Sequence, residues 1–195
     1  MKNYFKKFSI IFVISLILVL GCSVSAFADD GVLVGTGNLN NTVENSAKVG
    51  DWLGAPEKGW KRYDDTNSKI KYTGITMQER ENYFYNSTST RLSQKSVKFN
   101  FIGTKLRLVG RNCYYDFIVK IDNKSYNFPI QSGSPQKIQF EVNGLTLKEH
   151  NVEIVAYREY DIDAIDIDSN GELLTYKETN NISLNKATDN LQVGL

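Results

Sequence analysis

From Ser96 to Asp168 apolar and polar residues alternate with a period of two, in one short run after another. Val97, Phe99 and Phe101 mark the first run, and Gly103-Thr104 punctuates before Leu106 and Leu108. Phe117, Val119 and Ile121 lead into Asp122-Asn123-Lys124, and Tyr126, Phe128 and Ile130 leave that turn with the same period. Ile138, Phe140 and Val142 follow, then Val152, Ile154 and Ala156, then Ile162, Ala164/Ile165 and Ile167. Successive side chains of a strand point to opposite faces, so each run predicts a half-buried antiparallel strand. Several such runs divided by turn residues, with almost no helical signal between them, predict an all-β antiparallel β-sandwich or barrel. In such folds the loops at one end are the usual place for binding residues.

The flanking segments are less regular. Residues 29–49 are rich in Gly, Asn, Thr and Val and read as a linker or a first strand at Gly31–Gly35. The domain proper is expected over residues 50–174, opening near Val49-Gly50-Asp51, with Trp52, Trp60, Tyr63 and Tyr72 loading apolar surface into a turn-rich stretch. Ile70-Lys71-Tyr72 and Tyr83-Phe84-Tyr85 read as short strands, and Met77–Asn82 as a single helical turn. Residues 175–195 change character again, first polar and linker-like and then Ile182-Ser183-Leu184-Asn185-Lys186 and Leu191-Gln192-Val193-Gly194.

Residues 1–28 carry the marks of a secretory signal peptide: Lys2, Lys6 and Lys7, an apolar run from Phe8 to Leu20, and Ala26-Phe27-Ala28 as a small-x-small cleavage site. That run is too short for a membrane-spanning helix, so no transmembrane segment is expected in the mature chain. Val19-Leu20-Gly21-Cys22 offers the alternative of a lipid anchor on Cys22. A secreted location, extracellular or at the cell surface, is the expectation on either route. Losing residues 1–28 takes three lysines and no acid from a chain of 23 basic and 22 acidic residues, which leaves a slight acidic excess. Such a balance argues against nucleic acid and against a polybasic membrane contact. Cys113 is then the sole cysteine, so no disulfide closes within the chain and the core alone must hold it.

With these runs in order, the body resembles the galactose-binding-like β-sandwich (jelly-roll) module of secreted surface proteins of Gram-positive bacteria, clostridia in particular. The resemblance rests on Trp60–Asp65 followed by Ile70–Gly74, on Val97–Leu108 with Gly103-Thr104 at its middle, and on Phe117–Asp122 with Asn123 at the usual glycine. Gly144-Leu145 with His150–Ile154 and Asp163–Asp168 complete it, Glu149 standing where the family has glycine. The last residues, Ile182–Leu195, are similar to the opening of a bacterial Ig-like domain of the second group, truncated after a strand and a half. The family implies a binding module, often beside Ig-like repeats and in many cases with a structural calcium ion.

Catalysis is not expected. His150 is the only histidine, no nucleophile elbow, zinc-protease or Walker motif occurs, and the adjacent Asp64 and Asp65 would point to opposite faces of a strand rather than flank one bond. Asp166-Ile167-Asp168-Ser169-Asn170-Gly171 has the opening spacing of a calcium loop, which makes Asp166, Asp168 and Asn170 candidate metal ligands; the alternative is a row of acids, Asp163 included, on an exposed edge strand ending in a turn. No other cofactor is expected. Carbohydrate has the stronger case, since sugar C–H faces stack on aromatic rings while Arg, Asn and Asp bond the hydroxyls. Tyr114 and Tyr115 beside Arg111, together with Trp52, Arg107, Arg158 and Tyr160, are the candidate ligand-binding residues, whereas Trp60, Tyr63 and Tyr72 are expected in the core. The expected partner is a glycan or a cell-wall or host-surface polymer; the alternative is a structural spacer or protein-adhesion domain that binds no sugar.

Overall fold

A computed structural model describes residues 31–74, 77–112, 117–127 and 133–177. Their strands form two antiparallel sheets packed face to face in a jelly-roll sandwich. The first sheet runs β1 (Leu33–Val34), β10 (Lys137–Asn143), β7 (Leu106–Asn112), β12 (Tyr160–Asp168), β5 (Ser89–Leu92), β4 (Met77–Glu79), with β2 (Trp60–Asp64) paired to the second half of β12. The second runs β13 (Glu172–Leu174), β6 (Lys95–Gly103), β11 (Lys148–Ala156), β8 (Phe117–Ile121), β9 (Lys124–Asn127), with β3 (Lys71–Tyr72) beside the first half of β6.

The period-two pattern sets the interior. Val97, Phe99 and Phe101 of β6, Val152 and Ile154 of β11 and Phe117, Val119 and Ile121 of β8 face Leu106 and Leu108, Ile138, Phe140 and Val142, and Ile162, Ile165 and Ile167 of the first sheet, all of them buried. The slip from Ile162 to Ile165 is a register shift between β12 and β7, where an extra residue keeps both halves of β12 facing inward. Gly110 sits at this shift. A Cβ there would lie 2.0 Å from the backbone oxygen of Asp161, so only glycine lets the two strands close. Gly110→Ala is expected to cost about 3 kcal/mol, at the upper end for overpacking, as read by urea denaturation; a loss under ~0.5 kcal/mol would show that the strands part freely.

Three local expectations change. Met77–Glu79 is not a helical turn but an edge strand on β5, where ladder hydrogen bonds outweigh weak helical propensity in so short a piece. Tyr83-Phe84-Tyr85 is not a strand: Tyr85–Ser87 is a single 3-10 turn with Asn86 at φ 48°, a left-handed position that asparagine tolerates. The Asp163–Asp168 row is not on an edge either. β12 lies between β7 on one side and β5 and β2 on the other, and Asp161, Asp163 and Asp166 are fully buried on its outer side.

The first sheet is also covered on its outer side. Residues 36–58 fold across it: Gly50 N–H donates to Ile138 O and Leu53 N–H to Gln136 O, beside β10. This segment belongs to the domain, since Val49 and Leu53 join the core and Leu33–Val34 pairs with the end of β10. Phe84 closes over the opposite flank. Among the described residues no helix is long and apolar enough to cross a membrane.

Candidate functional site

Strand register brings most of the expected ligand-binding residues to one end of the sandwich. Tyr160 at the start of β12 lies opposite Asn112 and Leu92, and Ala156 at the end of β11 lies opposite Phe117 and Lys95. The connections after β5, β7 and β11, and the start of β10, are therefore neighbours. Trp52 bridges to Lys137 at that start, and the outer edge of its ring (Cη2 and Cζ2) lies against Gly54, where a Cβ would come within 2.4 Å. The residue is 66% exposed, so much of it is offered to solvent while the ring edge is braced on Gly54. Arg158, with Tyr157, projects from the turn between β11 and β12 and is exposed. Tyr114 and Tyr115 lie outside the described residues; the strands that bracket them, β7 and β8, end and begin here.

Arg111 is at this end too, but its guanidinium is engaged. Its Nε donates to Asp161 Oδ2 at 2.7 Å and its Nη2 to Glu79 Oε2 at 2.6 Å, above the Phe84 ring. Arg91 serves the same two acids from β5, through Asp161 Oδ1 at 2.8 Å and Glu79. Two arginines and two carboxylates thus close a square in which half-buried Arg111 positions the rim.

Two candidates are corrected by burial. Arg107 has no exposed surface to offer a ligand: its outward position on β7 lies beneath the 36–58 segment. Tyr160 points inward at the head of β12 and stacks on Phe117 at 4.5 Å. Its buried hydroxyl lacks a partner among the described residues, and burial pushes its ionisation far above the ordinary phenol range.

The proposed calcium loop does not fit a cation either. Asp166 receives Arg62 Nε at 2.7 Å and Nη2 at 2.8 Å, a bidentate pair hidden from solvent. Asp168 accepts the backbone N–H groups of Thr104 and Lys105 and the Thr104 hydroxyl, and so pins the Gly103-Thr104 turn. Asn170 is exposed in the following turn. A cation here would have to displace those donors from two carboxylates. Among the described residues no three His, Cys, Asp or Glu side chains stand together as metal ligands.

A second group of acids is held by hydroxyls. Asp65, buried, accepts from Thr88 Oγ1 at 2.8 Å and Thr90 Oγ1 at 2.6 Å, while Asp163 accepts only the Tyr85 N–H at 2.8 Å. Asp163 Oδ2 and Asp64 Oδ1 are buried with no partner among the described residues. Burial pushes the Asp65 carboxyl up, and it carries Asp163 to about 7, against the pull of the Tyr85 N–H and Arg62. His150 sits far from these groups, at the other end of β11. Its Nδ1 meets Asp122 at 3.0 Å and its Nε2 meets Thr146 O at 2.8 Å, so the buried ring ties two turns together.

No protein-family model and no curated protein matches the chain. Among solved structures it is similar to a salicylyl-acyltransferase, SsfX3, from a tetracycline biosynthetic pathway, at 8% identity and a TM-score of 0.50 over 63% of this chain and 43% of that one. It overlaps a family two carbohydrate esterase from Cellvibrio japonicus (14% identity, TM-score 0.45, 61% of this chain and 36% of that one). It also overlaps a family 35 carbohydrate-binding module from Clostridium thermocellum (11%, 0.41, 58% and 98%). The chain spans less than half the length of the two enzymes. At these identities the likeness establishes the β-sandwich fold and nothing about chemistry.

Sequence reasoning passed over one feature of this end. The outer side of the second sheet carries a cleft of about 580 Å³ bounded by Lys95, Lys120, Glu153 and Tyr157. The signal was present as the complement of the core pattern: Ser96 and Lys98, Glu153 and Val155, and Lys120 are the outward positions of β6, β11 and β8. Tyr157 is the first residue past the last inward position, Ala156.

Proposed function

We propose that this domain is a non-catalytic carbohydrate-binding module of a secreted or cell-surface protein, taking a glycan or cell-wall polymer at the end where Trp52 and Arg158 are exposed. One observation carries this reading: a largely exposed tryptophan whose ring edge is braced against Gly54, at the same end of the sandwich as an exposed arginine and where the sheet connections gather. A flat apolar ring with hydrogen-bond donors at its margin suits a pyranose, and holding the ring in advance reduces the ordering cost of binding. Arg111 orients the rim through Asp161. The non-catalytic part of the reading draws on His150, whose two ring nitrogens are committed to Asp122 and Thr146 about 23 Å from this end. Secretion rests on the leader-like residues 1–28.

The test is a glycan and cell-wall polysaccharide panel on the chain from residue 29, with Trp52→Ala and Arg158→Ala beside it. Both side chains are exposed, so stability should move by less than ~0.5 kcal/mol. Affinity for the polymer that binds should fall at least about tenfold for Trp52→Ala, roughly 1.4 kcal/mol. Binding untouched by either substitution would move the site elsewhere. No binding by the folded protein to any polymer would favour the spacer or protein-adhesion role.

A further inference from the structure

We propose that the cleft on the outer side of the second sheet binds an acidic saccharide, with its anionic group between Lys95 and Lys120 and its ring against Tyr157. The sugar part of this inference rests on the carbohydrate reading; the location and the acid do not. At about 580 Å³ the cleft is of the size that holds small ligands, and neither Trp52 nor Arg158 lines it. Its floor is rigid. Ser96 of β6, Val155 and Glu153 of β11 and Lys120 of β8 stand on three adjacent paired strands, and Thr73 Oγ1 bonds Ser96 Oγ at 2.9 Å to hold the near wall.

The charges on that floor do not balance. Among the described residues Glu153 is the only carboxylate lining the cleft, and both its oxygens are already taken: Lys98 Nζ lies 3.2 Å from Oε1 and Lys120 Nζ 2.9 Å from Oε2. Although burial alone would raise its carboxyl, those two ammonium groups hold it below the ordinary range, so it stays ionised. Lys95 lines the same cleft and makes no ion pair among the described residues; its Cδ, Cε and Nζ all lie over Gly74, so the chain end rests on the protein. Two lysines in the lining against one glutamate, which Lys98 also pairs from outside the cleft, leave an excess of positive charge on a partly shielded surface, where an anion is attracted more strongly than over open water. Tyr157, 55% exposed, supplies an apolar face at the rim, and the Thr73 and Ser96 hydroxyls and Gln94 supply partners for sugar hydroxyls. A neutral sugar would leave the excess charge at Lys95 unanswered, and a bare anion would leave the ring unused.

Titration of the 15N-labelled chain from residue 29 with a galacturonate trimer, its neutral galactose counterpart and a sulfated counterpart tests this. The acidic trimer, carboxylated or sulfated, should shift the amide signals of Ser96, Val155 and Tyr157. Its affinity should fall five- to tenfold in Lys95→Gln and again in Lys120→Gln, and weaken in 0.5 M salt, while the neutral trimer binds this cleft at least tenfold more weakly. The same spectra show that each variant is folded. Equal binding of neutral and acidic trimers here, or indifference to both lysine substitutions, overturns the proposal. So do shifts confined to Trp52 and Arg158, which would leave the broader carbohydrate reading standing. If no trimer shifts the cleft, the proposal falls on its own, and the panel with Trp52→Ala decides the other.

Discussion

Arg107→Leu should destabilise the domain by roughly 3–5 kcal/mol, the usual cost of removing one partner of a buried ion pair. The guanidinium donates to Glu141 Oε2 at 2.9 Å, Glu57 Oε2 at 2.8 Å, Asn45 Oδ1 at 3.1 Å and Ala47 O at 3.2 Å, and it lies 4.1 Å from the Trp60 ring. Glu141 is fully buried; burial pushes its carboxyl up and Arg107 is the main opposing influence. Leucine would fill much of the space but leave that carboxylate only the neutral amides of Asn40, at 2.7 Å, and Asn143, at 3.3 Å, both on one oxygen. It would also release Glu57, which holds the Ser46 and Ala47 N–H groups, so the 36–58 cover should loosen with it. Urea denaturation gives the energy, and hydrogen exchange at Ser46 and Ala47 gives the local effect. A loss below about 1 kcal/mol would mean the network is not what fastens this cover. Arg107→Lys should recover only part of the loss, because an ammonium cannot serve four acceptors in one plane.

The same arginine shows where sequence reasoning stopped. Alternation at Val97, Phe99 and Phe101, or at Val152, Ile154 and Ala156, names the inward residues because a strand's geometry fixes them whatever the neighbours are. Outward positions have no such rule, since their environment depends on what the chain folds over the sheet. Nothing local in Leu106-Arg107-Leu108 says that residues sixty positions earlier will lie across it, so an outward arginine reads as a surface donor. The acids of Tyr160–Asp168 mislead in the same way. Their period of two is that of a half-exposed strand, yet Arg62, Arg91 and Arg111 arrive from three other strands to bury them in pairs. Trp52 was legible as a candidate because it falls in a turn-rich stretch. The Lys95–Lys120 cleft was not, because it exists only once β3, β6, β11 and β8 are set side by side.

One of those acids has no arginine of its own, and this makes the domain's stability depend on pH in an unusual direction. Asp163 accepts a single backbone N–H, its Oδ2 is buried without a partner, and burial carries its carboxyl from 3.8 to about 7, with Asp65 and Asp64 adding repulsion. Between those two values the folded chain keeps a proton that the unfolded chain releases, so stability falls as pH rises through that window and levels off above about 7. Below the ordinary aspartate range both states hold the proton and the group contributes no slope. Three units correspond to roughly 4 kcal/mol in all. Asp163→Asn keeps an oxygen for the Tyr85 N–H and removes the ionisation. The variant should therefore match the parent near pH 4 and exceed it by roughly 2–4 kcal/mol at pH 8, in urea denaturation curves taken across the range. The difference between the two proteins reports Asp163 together with its repulsion of Asp64 and Asp65, because Asp122, Glu153 and Glu57, all lowered, act equally in both. A difference that stays flat from pH 4 to 8 would show that Asp163 is ionised in the folded state and that its second oxygen has a partner after all. A rising difference would mean that a proton on one buried carboxyl, and not a cation, holds the Asp64, Asp65 and Asp163 group together at neutral pH.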